Sequence, residues 1–129
     1  MLQGATTFSG FSVSDIDTAR QFYETTLGCE VIATDMGLDL RLPGGQRLFI
    51  YDKGGDHVPA SFTVLNFVVV SINDTIDQLT AAGITMERYE SMPADQDDRG
   101  VLRGKAAGMG PDIAWFKDPA GNVLSLIEE

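Results

Sequence analysis

The stretch LRLPGGQRLFIYD (residues 40–52) lies over FKDPAGNVLSLIE (residues 116–128) at an offset of 76 residues. Each consists of two strand-like runs separated by a Pro-x-Gly turn, Pro43-Gly44-Gly45 in the first and Pro119-Ala120-Gly121 in the second. Such a short break between apolar runs predicts a β-hairpin with a three-residue loop. In the second hairpin a type I turn with Gly121 at the bulge pairs Asp118 with Asn122, Trp115 with Ser125 and Lys117 with Val123. The same geometry in the first pairs Leu42 with Gln46, Asp39 with Phe49 and Gly37 with Tyr51.

Working outward, each hairpin is preceded by the same series of elements. TTFSGFSV (residues 6–13) alternates as a strand does. Ser14 then opens a capping signal, S-D-I-D, with acids in the first turn. Ile16, Ala19, Tyr23 and Leu27 follow at helical spacing, Gly28 supplies the stop, and CEVIATD (residues 29–35) is a further strand. In the second half SFTVLNFVVV (residues 61–70) is a strand. A helix capped by Asn73 or Asp74 follows, burying Ile76 and Leu79 and ending at Gly83, and ITMERYE (residues 84–90) is the next strand. Val13-Ser14 recurs as Val70-Ser71, an offset of 57 residues. The chain is therefore an internal repeat of a βαβββ unit, of α+β class: one domain over residues 1–129, with module one over about 5–55 and module two over about 60–129.

The hairpin offset exceeds the strand offset by 19 residues, the size of one irregular insertion. Composition places it at SMPADQDDRGVLRGKAAGMG (residues 91–110), which carries Arg99, Arg103 and Lys105. A loop of this length is either a solvated segment or a lid that clamps a ligand; in the second case Arg103 is a ligand-binding residue.

Net charge is −10, from 19 acidic and 9 basic residues. That field repels phosphate backbones and anionic membranes, so nucleic acid and membrane are not expected partners. No apolar run approaches the ~20 residues that span a bilayer, and no signal segment opens the chain, so a cytoplasmic location is expected. The single cysteine, Cys29, fits a reducing compartment. It is read as a small core residue, with a reactive thiol as the alternative.

VSDIDTARQFYETTLGCEV (residues 13–31) and WFKDPAGNVLSLIEE (residues 115–129) resemble the beginning and end of vicinal oxygen chelate proteins, the superfamily of glyoxalase I, bleomycin-resistance proteins and extradiol dioxygenases. The resemblance covers nearly the whole chain. It implies that each module curls into a half-open cup and that the two make a curved eight-stranded mixed sheet with helices on the convex side, a ligand cavity inside and often a dimer partner completing it. In the family's enzymes four side chains hold a divalent metal, one from each first strand and one from each last strand. Carried onto this chain, those positions are Phe8, Leu65, Phe49 and Ser125. None offers the nitrogen or carboxylate oxygen such an ion takes, so no metal and no cofactor are expected.

Strand parity then lists what shares the cup with these four positions. The expected wall is Phe8, Phe49, Tyr51, Leu65, Phe67, Trp115 and Ser125, with Asp39 as its acid. Aromatic faces with few polar anchors suit a flat, largely apolar ligand. The reading is a metal-free small-molecule-binding protein, as a homodimer, holding an aromatic or amphipathic compound. The alternative is a glyoxalase-like lyase or isomerase, either metal-independent through Asp39 or a lid arginine, or with displaced metal ligands. A carboxylate among aromatic rings could act as a general acid or base; the competing reading makes Asp39 an edge-strand residue that reaches solvent. His57, in the linker DKGGDHVPA (residues 52–60), is a weaker site candidate and is otherwise a surface residue.

Overall fold

A computed structural model describes residues 1–90 and 95–129. The chain divides into two compact units, Met1–Pro59 and Ala60–Glu129, each with its own four-stranded mixed sheet.

In the first unit the order along the chain is β1 (Ser9–Val13), α1 (Ile16–Arg20) running into a π-helical turn (Gln21–Thr26), β2 (Glu30–Thr34), β3 (Gly37–Arg41) and β4 (Arg47–Asp52). The sheet order is β1-β4-β3-β2, so β4 is central, parallel to β1 and antiparallel to β3. The helix begins at Asp15, whose side chain accepts from the Thr18 amide, and not at Ser14. Its end is the expected one. The Leu27 amide reaches back to Phe22 and the Cys29 amide to Tyr23, a closure that requires the positive φ of 75° at Gly28. The first hairpin has the expected register, with Asp39 opposite Phe49 and the Leu42 amide donating to the Gln46 carbonyl.

One face of this sheet is the core. Phe11, Val13, Leu38, Leu40, Leu48 and Ile50 are buried there together with Ala19, Phe22 and Tyr23 of the helix. Alternation sends Phe8, Gly10, Ser12, Asp39, Phe49 and Tyr51 to the other face. Cys29 is half-buried, and burial pushes its thiol pKa up, which fits the packing role over the reactive one.

In the second unit β5 (Thr63–Val68) is followed by α2 (Ile72–Ala81), β6 (Leu102–Arg103), β7 (Asp112–Lys117) and β8 (Val123–Glu128), in the sheet order β5-β8-β7-β6. The cap of α2 is Ser71, accepting from the Asp74 amide, and neither Asn73 nor Asp74. Ile72, Ile76 and Leu79 are its buried residues. The second hairpin also has the expected register, pairing Trp115 with Ser125 and Lys117 with Val123. Gly121 takes the positive φ of 84° that the bulge position needs.

Two expectations fail in this unit. Residues 84–90 form no strand. Strand β6 occupies the edge of β7 at Asp112 and Ile113, which leaves residues 84–90 one backbone bond to that edge, from Glu87 to the Trp115 carbonyl. The repeat offset for the first strand and helix is 56 residues, not 57: the caps are Asp15 and Ser71, and the first helical residues Ile16 and Ile72.

The cap assignment is testable by chemical denaturation. Ser71→Ala should lower stability by about 1 kcal/mol, the usual cost of losing an N-cap hydroxyl. Asn73→Ala and Asp74→Ala should each leave the cap bond intact.

Candidate functional site

The face of the first sheet turned away from the helix carries a row of aromatic rings. Phe49 and Tyr51, two residues apart on β4, stack at 5.9 Å with an interplanar angle of 16°. Phe8 meets Phe49 edge-on at 6.3 Å. Phe8 is 57% exposed and Tyr51 39%, so the row is open surface rather than core. Glycine keeps it clear. Gly10 stands beside Phe49 on β1, and a Cβ on Gly37 would press on the Phe49 ring.

Asp39 stands opposite Phe49 and accepts from the Arg47 Nε at 2.9 Å. The Arg47 guanidinium also lies over the Phe8 ring, 4.5 Å from its centroid, a cation–π arrangement. Asp39 is buried, and β3 is an interior strand, so the solvent-reaching edge residue is corrected. The Arg47 guanidinium thus engages one oxygen of the carboxylate.

His57 is half-buried, and its Nδ1 lies 2.7 Å from the Ser12 hydroxyl. Ser12 neighbours Tyr51 in the ladder. The histidine therefore meets the residue beside Tyr51, at the end of the aromatic row. No sequence signal showed this, because the partners are 45 residues apart and belong to no motif.

In the second unit Trp115 and Ser125 share the face opposite the one that buries Ala114, Phe116, Leu124 and Leu126. The Trp115 indole donates to the Thr63 hydroxyl at 3.2 Å, and its ring meets Tyr89 edge-on at 5.8 Å. Ser125 is fully buried beside Asn66, and their side-chain oxygens are 2.5 Å apart. Asn66, not Leu65, is thus the neighbour of Ser125. Leu65 pairs with Leu124 and Phe67 with Leu126, so both lie on the helix-side face with the core residues. The physical cause is the irregularity between Thr63 and Leu65, which shifts the strand's parity.

Arg103 is not a free lid residue. Its Nε donates to Asp97 at 2.8 Å, one terminal nitrogen reaches Asp112 at 3.4 Å, and the other donates to Asn73 on α2 at 2.8 Å. Arg99 pairs with Asp77 of the same helix, and Lys105 with Glu128 at 2.6 Å. Gln96 ties in the segment before it, accepting from the Tyr89 amide and donating to the Glu87 and Gly100 carbonyls. Residues 95–105 thus form a pinned clasp across the helix and the sheet edge. Residues 91–94 of the expected loop lie outside the described residues.

Among the described residues no three His, Cys, Asp or Glu side chains gather as metal donors. The positions equivalent to the family's ligands do not fit a divalent ion: Phe8 and Phe49 have no donor atoms, and Ser125 is hydrogen-bonded to Asn66.

No family model and no curated protein matches the sequence. Solved structures do match. A glyoxalase family protein from Enterococcus faecalis is 26% identical, covers 99% of this chain and 100% of that one, and has a TM-score of 0.68. An antibiotic-binding protein from a Streptomyces species is 22% identical over 98% of each chain, with a TM-score of 0.66. Lactoylglutathione lyase from Agrobacterium tumefaciens is 19% identical over 97% of this chain and 93% of that one, with a TM-score of 0.64. The chain has the fold of the vicinal oxygen chelate superfamily, the family its two terminal motifs resemble.

The clasp carries a pH signature. Burial pushes the Asp97 carboxyl pKa up, but the Val101 amide, the Arg103 guanidinium and the Arg99 amide outweigh it, and the pKa lies below the ordinary 3.8. The stability that Asp97 contributes is therefore complete above its unfolded pKa and lost as pH falls through the lower folded one. Urea midpoints should converge for the parent and Asp97→Asn as pH drops below about 4, and differ most near neutrality.

Proposed function

We propose that this protein binds a small, flat, largely apolar molecule on the aromatic face of the first sheet, without a metal ion. The row Phe8–Phe49–Tyr51 carries the reading. Large rings left open to water on a sheet face are costly for a protein with no ligand to cover them, whereas an aromatic ligand would stack on them favourably. The likeness to an antibiotic-binding protein supports the same class of activity. The alternative, a lyase or isomerase working through Asp39 or a loop arginine, has less support, because ion pairs hold Asp39 and Arg103. Isothermal calorimetry with naphthamide, a neutral planar probe, should show saturable binding. Phe49→Ala should weaken it by about 1–3 kcal/mol, the scale of one aromatic contact. Elemental analysis should find no stoichiometric divalent metal, and a chelator should leave the melting temperature unchanged; a near-equimolar metal would refute the metal-free reading.

The working form is a homodimer. Strand β5 is a sheet edge, and Phe62, Val68 and Val70, on and around it, are 69%, 64% and 99% exposed. Pairing of chains covers edges of this kind. Light scattering at tens of micromolar should give twice the chain mass, and a monomer mass would count against the dimer.

A further inference from the structure

We infer that the ligand is an aromatic anion, a planar ring bearing a carboxylate or similar group, with the anion seated on Arg41 and Arg47 at one end of the aromatic row. This rests on the binding face proposed above and names what that face selects.

The two arginines are direct cross-strand neighbours, Arg41 on β3 opposite Arg47 on β4. Side chains paired in this way project to the same face with Cβ atoms about 4.5–5.5 Å apart, and like charges so placed repel. The chain has only 9 basic residues, yet two of them meet here. Asp39 offsets one through the Arg47 Nε. Arg41 is exposed, and its side chain has no hydrogen bond or ion pair among the described residues; Glu30 is its ladder neighbour on β2 without bridging to it. Asp39 engages the Nε of Arg47 alone, so the terminal nitrogens are left to donate. A ligand carboxylate could take donors from both guanidinium groups in charge-assisted bonds and relieve their repulsion.

Orientation comes from the rings. Arg47 already lies 4.5 Å over Phe8, and Phe8 meets Phe49, so the cations and the apolar row are continuous. A ring on Phe49 and Tyr51 leaves its substituent directed toward Arg47. The rest of the protein is strongly acidic, with a net charge of −10. Glu30 and Asp39 beside the pair balance its two charges, so the acidic field is locally offset there, and the donors of Arg41 and Arg47 that these carboxylates leave unused are what seat the anion.

The test compares naphthoate with naphthamide, which share the ring and differ in charge, by calorimetry on the full chain at low salt. Naphthoate should bind about tenfold more tightly, the scale of one charge-assisted contact, and Arg41→Gln should abolish the difference while leaving naphthamide unaffected. Arg47→Gln should also remove the preference, but it takes the cation from the Phe8 ring and the partner from Asp39 and so weakens naphthamide as well; the Arg41→Gln result decides. Equal binding of the two probes, or a preference that survives Arg41→Gln, overturns the anion assignment and leaves the aromatic face standing. Binding of neither probe overturns both, as does a change of oligomeric state on Phe49→Arg, which would show a second copy of the chain covering the row.

Discussion

A carboxylate at the end of the last strand of each unit accepts the first amide of that unit's helix. Asp52 takes the Ile16 N–H at 3.3 Å, and Glu128 takes the Ile72 N–H at 2.7 Å. The first amides of a helix have no partner within it, and negative charge is favourable at that end. One contact therefore satisfies an orphan donor and joins helix to sheet. Because the acid sits at a set place on the central strand, it also determines which strand residues lie under the helix. In the first unit the core face follows from it as Leu48 and Ile50, and the open face as Arg47, Phe49 and Tyr51. The aromatic row is a consequence of that parity.

The second unit uses the same device and adds to it. Glu128 accepts from Lys105 as well as from Ile72, and those bonds, Lys105 first, hold its pKa below the ordinary carboxylate value. Arg99 and Arg103 reach Asn73 on the first turn of the same helix. The insertion is thus built onto the strand-to-helix junction that organises the unit. Its cations sit where acids already gather, and that is why residues 95–105 are pinned as a clasp.

What was legible in the sequence follows the range of the interactions. Both hairpin registers could be read, because a three-residue turn dictates its own flanking pairs through local geometry. The core faces of β1 and β4 followed from a period of two. The caps lie one to three residues from the expected positions, since several neighbouring Ser, Asp and Asn side chains can each accept a helix amide. Leu65 and Phe67 were assigned to the wrong face because an irregularity after Thr63 shifts parity without a residue type that marks it. The Ser12–His57 contact and the Arg103–Asn73 bond join residues far apart in sequence, and neither spacing nor composition encodes them.

The same parity that brings bulky apolar groups to the open face also puts side chains without donor atoms at positions that the resemblance assigns to metal ligands. On the scaffold's first and last strands the residues that would face an ion are Phe8 and Phe49, which meet each other edge-on instead. Ser125, the equivalent of Phe49 in the second unit, closes onto Asn66. A donor site cannot be restored there by one substitution, since a divalent ion needs several oxygen or nitrogen ligands at once. Rings and guanidinium groups recognise a different chemistry. They select by shape and by π-face, with charge at one end.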